Sequence, residues 1–181
     1  MHDSKISTMP DAPLRILGID PGLQLTGYGV VEIPHENKGN PLADPTLVEA
    51  GVLRFKSRDS VATRVAQLHA ELQAIISEHQ PRVMAVEKLY AHYKHPATAI
   101  IMAHARGVIL LAAHQAGMRI IDVPSTEVKK AITGYGHASK EQMQRSIQAH
   151  CRLPEPPSPP DVADAIAIAL THARRIMLEQ A

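Results

Sequence analysis

The chain has 181 residues, of which 45% are hydrophobic, and its formal net charge is +1. These values predict one globular domain with a sizeable core. They do not favour a membrane protein, because no uninterrupted apolar run approaches the roughly 20 residues that a membrane span needs.

The beginning of the chain is polar and lacks the apolar core of a signal peptide. Residues 1–13 are therefore expected to form a flexible tail, and residues 14–178 a single domain. The one cysteine, Cys151, rules out an intrachain disulfide. A cytoplasmic protein is the default expectation.

The first half of the domain predicts three strands in an antiparallel meander. The apolar run Leu14–Ile19 stops at Asp20, and the Pro21-Gly22 turn follows at once. A β-type run then begins at Thr26, so the segment is typical of a β-hairpin. Residues 34–45 predict a polar hairpin loop, and residues 47–55 a third strand.

The second half alternates helices with short apolar strands. A stripe of apolar residues predicts a helix over residues 61–80, and Asp59 or Ser60 can cap it. Ser139 and Gln142 form a capping box. The remaining predicted elements are strands at 83–86 and 120–123, a long and mostly buried helix at 97–116, and helices at 125–132, 139–151 and from Pro160 onward. This order predicts an α/β fold, a five-stranded mixed sheet with helices on both faces.

Charge is distributed unevenly along the chain. Residues 82–152 contain ten Lys or Arg against four Asp or Glu. A basic central segment suits a protein that grips a polyanion with one face. A set of solvated helix faces explains the same count, so charge alone leaves both interpretations open.

Four acids stand out by their positions. Asp20 and Glu87 each end an apolar strand, and ligands of open sheets bind at the carboxyl ends of strands. Asp161 and Asp164 lie three residues apart in the last helix and so share a face. Taken singly, Asp20 could form an Asx turn, and the helix acids could complement the helix dipole.

Clustered carboxylates repel one another unless protons or divalent cations neutralise them. Sites with only oxygen ligands select Mg²⁺ or Mn²⁺ rather than zinc. Two such ions about 4 Å apart can activate water and stabilise the leaving oxygen of a phosphodiester. The acids therefore indicate metal-dependent phosphodiester hydrolysis. The eleven histidines form no His-x-x-x-His pair with a helical Glu, so no zinc motif is expected.

Several motifs, in this order, resemble those of the RuvC family of Holliday-junction resolvases. The resemblance runs from about Leu14 to Arg174. The motifs are Ile19-Asp20-Pro21-Gly22 with Thr26-Gly27-Tyr28-Gly29, Val86-Glu87, Ala105-Arg106-Gly107-Val108, and Asp161-Val162-Ala163-Asp164-Ala165.

The resemblance implies a ribonuclease H-like fold and a homodimer. It also implies Mg²⁺- or Mn²⁺-dependent cutting of two opposed strands of a four-way DNA junction, with two ions per site and 5′-phosphate ends, during recombination and repair. Asp20, Glu87, Asp161 and Asp164 fall on the four acidic active-site positions of the family. Cooperation with a branch-migration helicase is implied as well.

Contacts with DNA are expected from four further residues. Lys129 and Lys140 fall where the family has active-site or DNA-contacting lysines, although solvent exposure would explain them equally well. Tyr90 falls where the family usually has Phe, and its loop also carries Lys94. A ring in such a loop can stack on an unpaired base. The chain departs from the family's pattern at His95 and His104, where Asn and Gln are common.

Two other classes of function were compared with the nuclease. An ATP-binding phosphotransferase of the actin and sugar-kinase type shares this sheet topology, but it needs a duplicated domain for which 181 residues leave no room. A non-catalytic nucleic-acid-binding module would be free to lose an acid. The presence of all four acids therefore favours the nuclease.

Overall fold

The computed structural model describes residues 13–33, 44–88 and 96–179. Five strands and five helices follow one another along these residues much as the sequence predicts. The strands are β1 (Leu14–Asp20), β2 (Leu25–Ile33), β3 (Thr46–Arg54), β4 (Val83–Glu87) and β5 (Arg119–Val123). The helices are α1 (Val61–His79), α2 (Pro96–Gln115), α3 (Ser125–Thr133), α4 (Lys140–Cys151) and α5 (Pro160–Glu179).

The strands form one mixed sheet in the order β3-β2-β1-β4-β5. The meander β1–β2–β3 pairs antiparallel, whereas β4 and β5 join the other side of β1 in parallel. The predicted fold class is thereby confirmed. Because β1 lies at the centre with β4 beside it, their carboxyl ends meet at one edge of the sheet.

Two helix caps predicted from sequence are present. Ser60 accepts a hydrogen bond from the backbone N–H of Thr63 at 3.1 Å, at the start of α1. Ser139 and Gln142 form the complete capping box of α4, with both reciprocal hydrogen bonds. Each cap satisfies backbone N–H groups that the first turn of a helix leaves without a partner.

Two apolar layers flank the sheet. Helices α1 and α2 cover one face, where residues such as Leu17, Leu68 and Ile109 are fully buried. Helices α3, α4 and α5 cover the other face, where residues such as Ile16 and Ile147 are fully buried. The alternation of side chains along each strand separates these two layers.

Helix α5 packs unusually close to the sheet because glycines line the strands beneath it. A methyl group added to Gly18 would lie 2.3 Å from the carbonyl oxygen of Ala165, and one added to Gly27 would lie 2.0 Å from that of Asp161. One added to Gly29 would lie 3.0 Å from Cα of Ile166, a looser but still tight approach. These residues lack a Cβ where a helix backbone needs the space.

Helix α2 is less buried than predicted. Only 22% of residues 97–115 are buried, although by length and composition this stretch is apolar enough to cross a membrane. The prediction of a mostly buried helix was wrong because only one stripe, including Ala105 and Ile109, faces the sheet. The opposite side of α2 is apolar and exposed, with Ile100 at 58% and Leu111 at 48%.

Candidate active site

Two of the predicted acids are placed by strand register. Ile19 of β1 is aligned with Val86 of β4, so the next residues, Asp20 and Glu87, end neighbouring parallel strands side by side. Neighbouring strands lie about 4.8 Å apart, which brings two carboxylates to the same point of the sheet edge. Both side chains face the layer of α3, α4 and α5, because alternate residues of each strand pack in that layer.

The other two acids come from the first turns of α5. Asp161 and Asp164 lie near the start of this helix, which rests on β1 and β2. The backbone of Asp161 packs directly over Gly27, and Gly27 is paired with Asp20 in the sheet. The close approach that the glycines allow therefore carries the helix acids to the strand acids.

Three of the four predicted acids and both described lysines meet at one cleft of about 300 Å³. Asp20, Glu87 and Asp164 line it, together with the half-buried Lys129 of α3 and the exposed Lys140 of α4. Apolar side chains form the rest of its wall, namely Val128, Met143 and Ile168. Asp161 does not line the cleft, but its charge reaches Asp20 and Asp164.

Burial raises the pKa of Asp20 from the ordinary 3.8 to about 8. The negative charges of Asp164, Glu87 and Asp161 contribute to this rise, in that order, and the ammonium group of Lys140 opposes them. A carboxyl group in this environment retains a proton near neutral pH unless a cation takes its place.

Burial also raises the pKa values of Glu87 and Asp164. The charge of Asp164 adds to the effect at Glu87, while a hydrogen bond from Ser125 and the charge of Lys129 lower the pKa of Glu87. At Asp164, Lys140 is the strongest opposing influence, and Asp161 raises the pKa. Two lysines therefore partly offset an excess of negative charge in one cleft.

Two residues of the site carried no functional assignment from sequence. Ser125 begins α3 and donates a hydrogen bond to the carboxylate of Glu87. Serine is common at the start of a helix, so this contact could not be inferred from the sequence. Arg106 donates to the backbone carbonyl of Glu87 at 2.7 Å and to the carboxylate of Asp122. Arg106 could have been singled out from the sequence, because no other Asp, Glu, Lys or Arg occurs within α2.

Tyr90 and Lys94 lie outside the described residues. Their expected DNA contacts therefore stay predictions. The described lysines of the site, Lys129 and Lys140, lie beside the acids, as a role at the active site requires.

The chemistry of the donor set fits a hard divalent cation. Three carboxylates line the cleft and a fourth, Asp161, lies beside it, with no thiol or imidazole among the described residues that line it, so the donor set offers oxygen ligands alone. Oxygen ligands suit Mg²⁺ or Mn²⁺, and a bound cation would offset both the cost of burying these charges and their mutual repulsion, which together raise the pKa values. Asp20, Glu87 and Asp164 are the residues that would hold it, with Asp161 beside them.

The five-stranded mixed sheet of this order is a ribonuclease H-like fold, and carboxylates at the ends of β1 and β4 beside the acids at the start of α5 suit a nuclease site. Residues 16–172 match the family described as Crossover junction endodeoxyribonuclease RuvC. The chain belongs to this family. It is accordingly a crossover junction endodeoxyribonuclease, of a family that uses divalent metal ions.

Relatives of known name match over nearly their full lengths. The chain is 42% identical to the crossover junction endodeoxyribonuclease RuvC of Rhodopirellula baltica, over 94% of this chain and 92% of the relative. It is 41% identical to that of Pelotomaculum thermopropionicum, over 92% and 97%. Among solved structures, Thermus thermophilus RuvC in complex with a Holliday junction substrate superposes with a TM-score of 0.81 at 32% identity, over 92% of this chain and 97% of that one.

A more distant structure shows the same fold. The yeast mitochondrial Holliday junction resolvase superposes with a TM-score of 0.64 at 14% identity, over 96% of this chain and 82% of that one. The ribonuclease H-like fold implied by the sequence resemblance is thereby confirmed.

Proposed function

We propose that this protein resolves four-way (Holliday) DNA junctions by two symmetric nicks, with Asp20, Glu87, Asp161 and Asp164 as the acidic residues of each active site. The observation that carries the proposal is the meeting of strand-end and helix acids with Lys129 and Lys140 in one cleft. The Thermus thermophilus relative forms a complex with a Holliday junction substrate, which supports the choice of DNA.

The carboxylates are proposed to hold two Mg²⁺ or Mn²⁺ ions. Bound there, such a pair would supply an activated water molecule and would stabilise the leaving oxygen of the scissile phosphodiester. The ammonium groups of Lys129 and Lys140 lie where they can contact the phosphate beside those acids. Ser125 and Arg106 hold the side chain and the backbone of Glu87, and so fix the direction of its carboxylate.

Contacts farther along the DNA are proposed for the loop after β4. Tyr90 is proposed to stack on an unpaired base and Lys94 to contact phosphate, since both follow soon after Glu87 in sequence. Stacking of one base on an aromatic ring is worth roughly 1–3 kcal/mol.

A homodimer is proposed as the active species. Two opposed strands must be cut, and each chain supplies one cleft. The exposed side of α2 offers an apolar surface, with Ile100, Ala103, Gly107 and Leu111 spaced so that they share one helix face. A cytoplasmic location is proposed as the default for a protein with one cysteine, and a single domain over residues 14–178 from the length of the chain. A branch-migration helicase as partner is proposed from the family resemblance.

The test is incubation with a synthetic four-way junction and a linear duplex of matched sequence, with Mg²⁺ or Mn²⁺ and with ATP in parallel. Paired, ligatable nicks restricted to the junction are expected, and ATP should not be turned over. ATP turnover without nicking, or equal cutting of the linear duplex, would overturn the proposal.

A further inference from the structure

A second group of potential metal ligands lies away from the acidic cleft. It consists of Glu49 on β3 and Glu78 and His79 at the end of α1, and their ligand atoms lie within 4.8 Å of one another. Glu49 is paired with Val30, whose side chain packs in the layer of α1 and α2. Glu49 therefore points to the sheet face opposite to the one that carries Asp20.

His79 is the buried member of this group. Only 7% of the residue is exposed, and its Nε2 has no hydrogen-bond partner among the described residues. That atom nonetheless lies 3.1 Å from Oε2 of Glu49. The carboxylate oxygen is thus near enough for a hydrogen bond but lies off the direction in which the ring nitrogen donates or accepts.

This off-axis position is what two ligands of one ion require. Two neighbouring ligand atoms, each about 2.1 Å from a four- or six-coordinate ion, lie about 3.0–3.5 Å from each other. The lone pair of the imidazole nitrogen then points at the ion and not at the other ligand. A buried ring nitrogen that makes no well-aligned hydrogen bond is costly, and its contact with Glu49 is an ion pair only when the imidazole is protonated, so an ion on that axis would satisfy the neutral nitrogen.

We propose that Glu49, Glu78 and His79 bind a divalent transition-metal ion, with Zn²⁺ as the best match. Imidazole and carboxylate are both ligands that Zn²⁺ accepts, and with three protein ligands a water molecule would complete the tetrahedral site. The imidazole disfavours Mg²⁺ and Ca²⁺, which prefer oxygen ligands. Glu78 is exposed, so its side chain can rotate to bring the carboxylate within bonding distance of the ion.

Neighbouring groups hold the two inner ligands in place. The hydroxyl of Tyr28 donates to Oε1 of Glu49 at 2.6 Å, which leaves Oε2 for the ion. Gly51 makes room for the Tyr28 ring, because a methyl group there would lie 2.8 Å from it. Arg15 donates to the backbone carbonyl of His79 at 3.0 Å. Outer contacts of this kind orient metal ligands and are part of such sites.

An ion here joins the edge strand β3 to the end of α1. Within the described part of the chain, β3 is hydrogen-bonded in the sheet to β2 alone, so its connection to α1 depends on side chains. The ion would act on stability rather than on the reaction, since the acidic cleft lies on the other face of the sheet. Binding of Zn²⁺ should therefore be separable from binding in the cleft.

The test uses Zn²⁺ with the full chain carrying Asp20→Asn and Asp164→Asn, so that the acidic cleft is disabled. Calorimetric titration is expected to give one Zn²⁺ per chain, and the melting temperature should rise with Zn²⁺ concentration. Replacing Zn²⁺ by Co²⁺ should give visible absorption bands of a nitrogen- and oxygen-coordinated ion.

Glu78→Gln in the same background is expected to weaken Zn²⁺ binding at least tenfold and to abolish the rise in melting temperature. Because Glu78 is exposed, this variant should fold. Glu71→Gln is the matched control, since Glu71 is an exposed acid on the same helix outside the group; it should bind within twofold of the background. Absence of Zn²⁺ binding in the background, or equal binding by the Glu78→Gln and Glu71→Gln proteins, would overturn the proposal.

Discussion

At the residue scale, the four acids and the lysines around them are proposed to have separable tasks, the acids holding metal and the basic groups holding phosphate. On that proposal, Asp20→Asn, Glu87→Gln and Asp161→Asn are each expected to abolish cleavage while junction binding persists. Cleavage gels and binding titrations on the same junction measure both. Lys130→Gln, which removes an exposed charge beside Lys129, serves as the control. Loss of binding as severe as loss of cleavage, in folded variants, would contradict this division.

The raised pKa of Asp20 has a consequence for stability without metal. The folded state keeps a proton on this group up to about pH 8, whereas the unfolded chain releases it near pH 3.8. The folded state therefore binds more protons between these values, and its free energy of unfolding falls as pH rises through that window. Asp20→Asn in EDTA is expected to raise stability by more than about 1 kcal/mol at pH 8.

The same substitution should have little effect at pH 4, where Asp20 is protonated in the folded protein. Denaturant unfolding at the two pH values provides the measurement. Mg²⁺ should stabilise the wild-type protein at pH 8, because a cation replaces the proton, and should not stabilise the Asp20→Asn protein to the same extent. An equal gain from Asp20→Asn at both pH values would refute the assignment of a raised pKa.

At the element scale, the position of α5 decides whether the acids meet. Gly27→Ala would place a methyl group 2.0 Å from the backbone carbonyl of Asp161, so the helix start must move. We expect a loss of more than about 2 kcal/mol in stability and a strong loss of cleavage. Thermal unfolding and the junction assay measure these effects.

Gly136→Ala is the matched control for that substitution. A methyl group at Gly136 would lie 3.5 Å from its nearest neighbour, the carbonyl oxygen of Thr126, which is ordinary van der Waals contact. This variant should keep both stability and activity. If Gly27→Ala behaved like Gly136→Ala, close packing of α5 would not be what positions Asp161.

Local sequence patterns predicted the elements well and their exposure less well. The caps at Ser60 and Ser139 and the strand-end acids are local signals, and all of these features are present. The predicted hairpin is also present, but residues 21–24 rather than Pro21-Gly22 alone connect its two strands. The predicted burial of α2 was wrong, because composition shows that a helix is apolar but not how much of its surface the rest of the protein covers.

The contacts that complete the site were out of reach of sequence patterns. Ser125 and Glu87 are brought together by tertiary packing, and so are His79 and Glu49. No spacing rule joins residues that come from separate elements. The positions of the glycines in β1 and β2 can be read from the sequence. Their structural role cannot, because it depends on contact with a helix more than a hundred residues later in the chain.

At the scale of the whole molecule, association through α2 is the main expectation. Leu111→Glu places a charge in the exposed apolar face. By light scattering at micromolar concentration, the wild-type protein is expected to be a dimer and the Leu111→Glu protein a monomer. Leu178→Glu is the control, because Leu178 is 66% exposed on α5 and lies outside that face. A Leu111→Glu protein that remains dimeric would remove α2 from the interface.

The most direct test of the central claim is cleavage of a supercoiled plasmid that extrudes a cruciform, because the first nick releases the supercoiling and destroys the junction. A dimer with two acidic clefts would cut both strands within one binding event and should therefore yield linear plasmid. This product is expected only when Mg²⁺ or Mn²⁺ is present. The Asp20→Asn protein should leave the plasmid supercoiled. Nicked circles as the main wild-type product, or linear plasmid from the Asp20→Asn protein, would contradict the account.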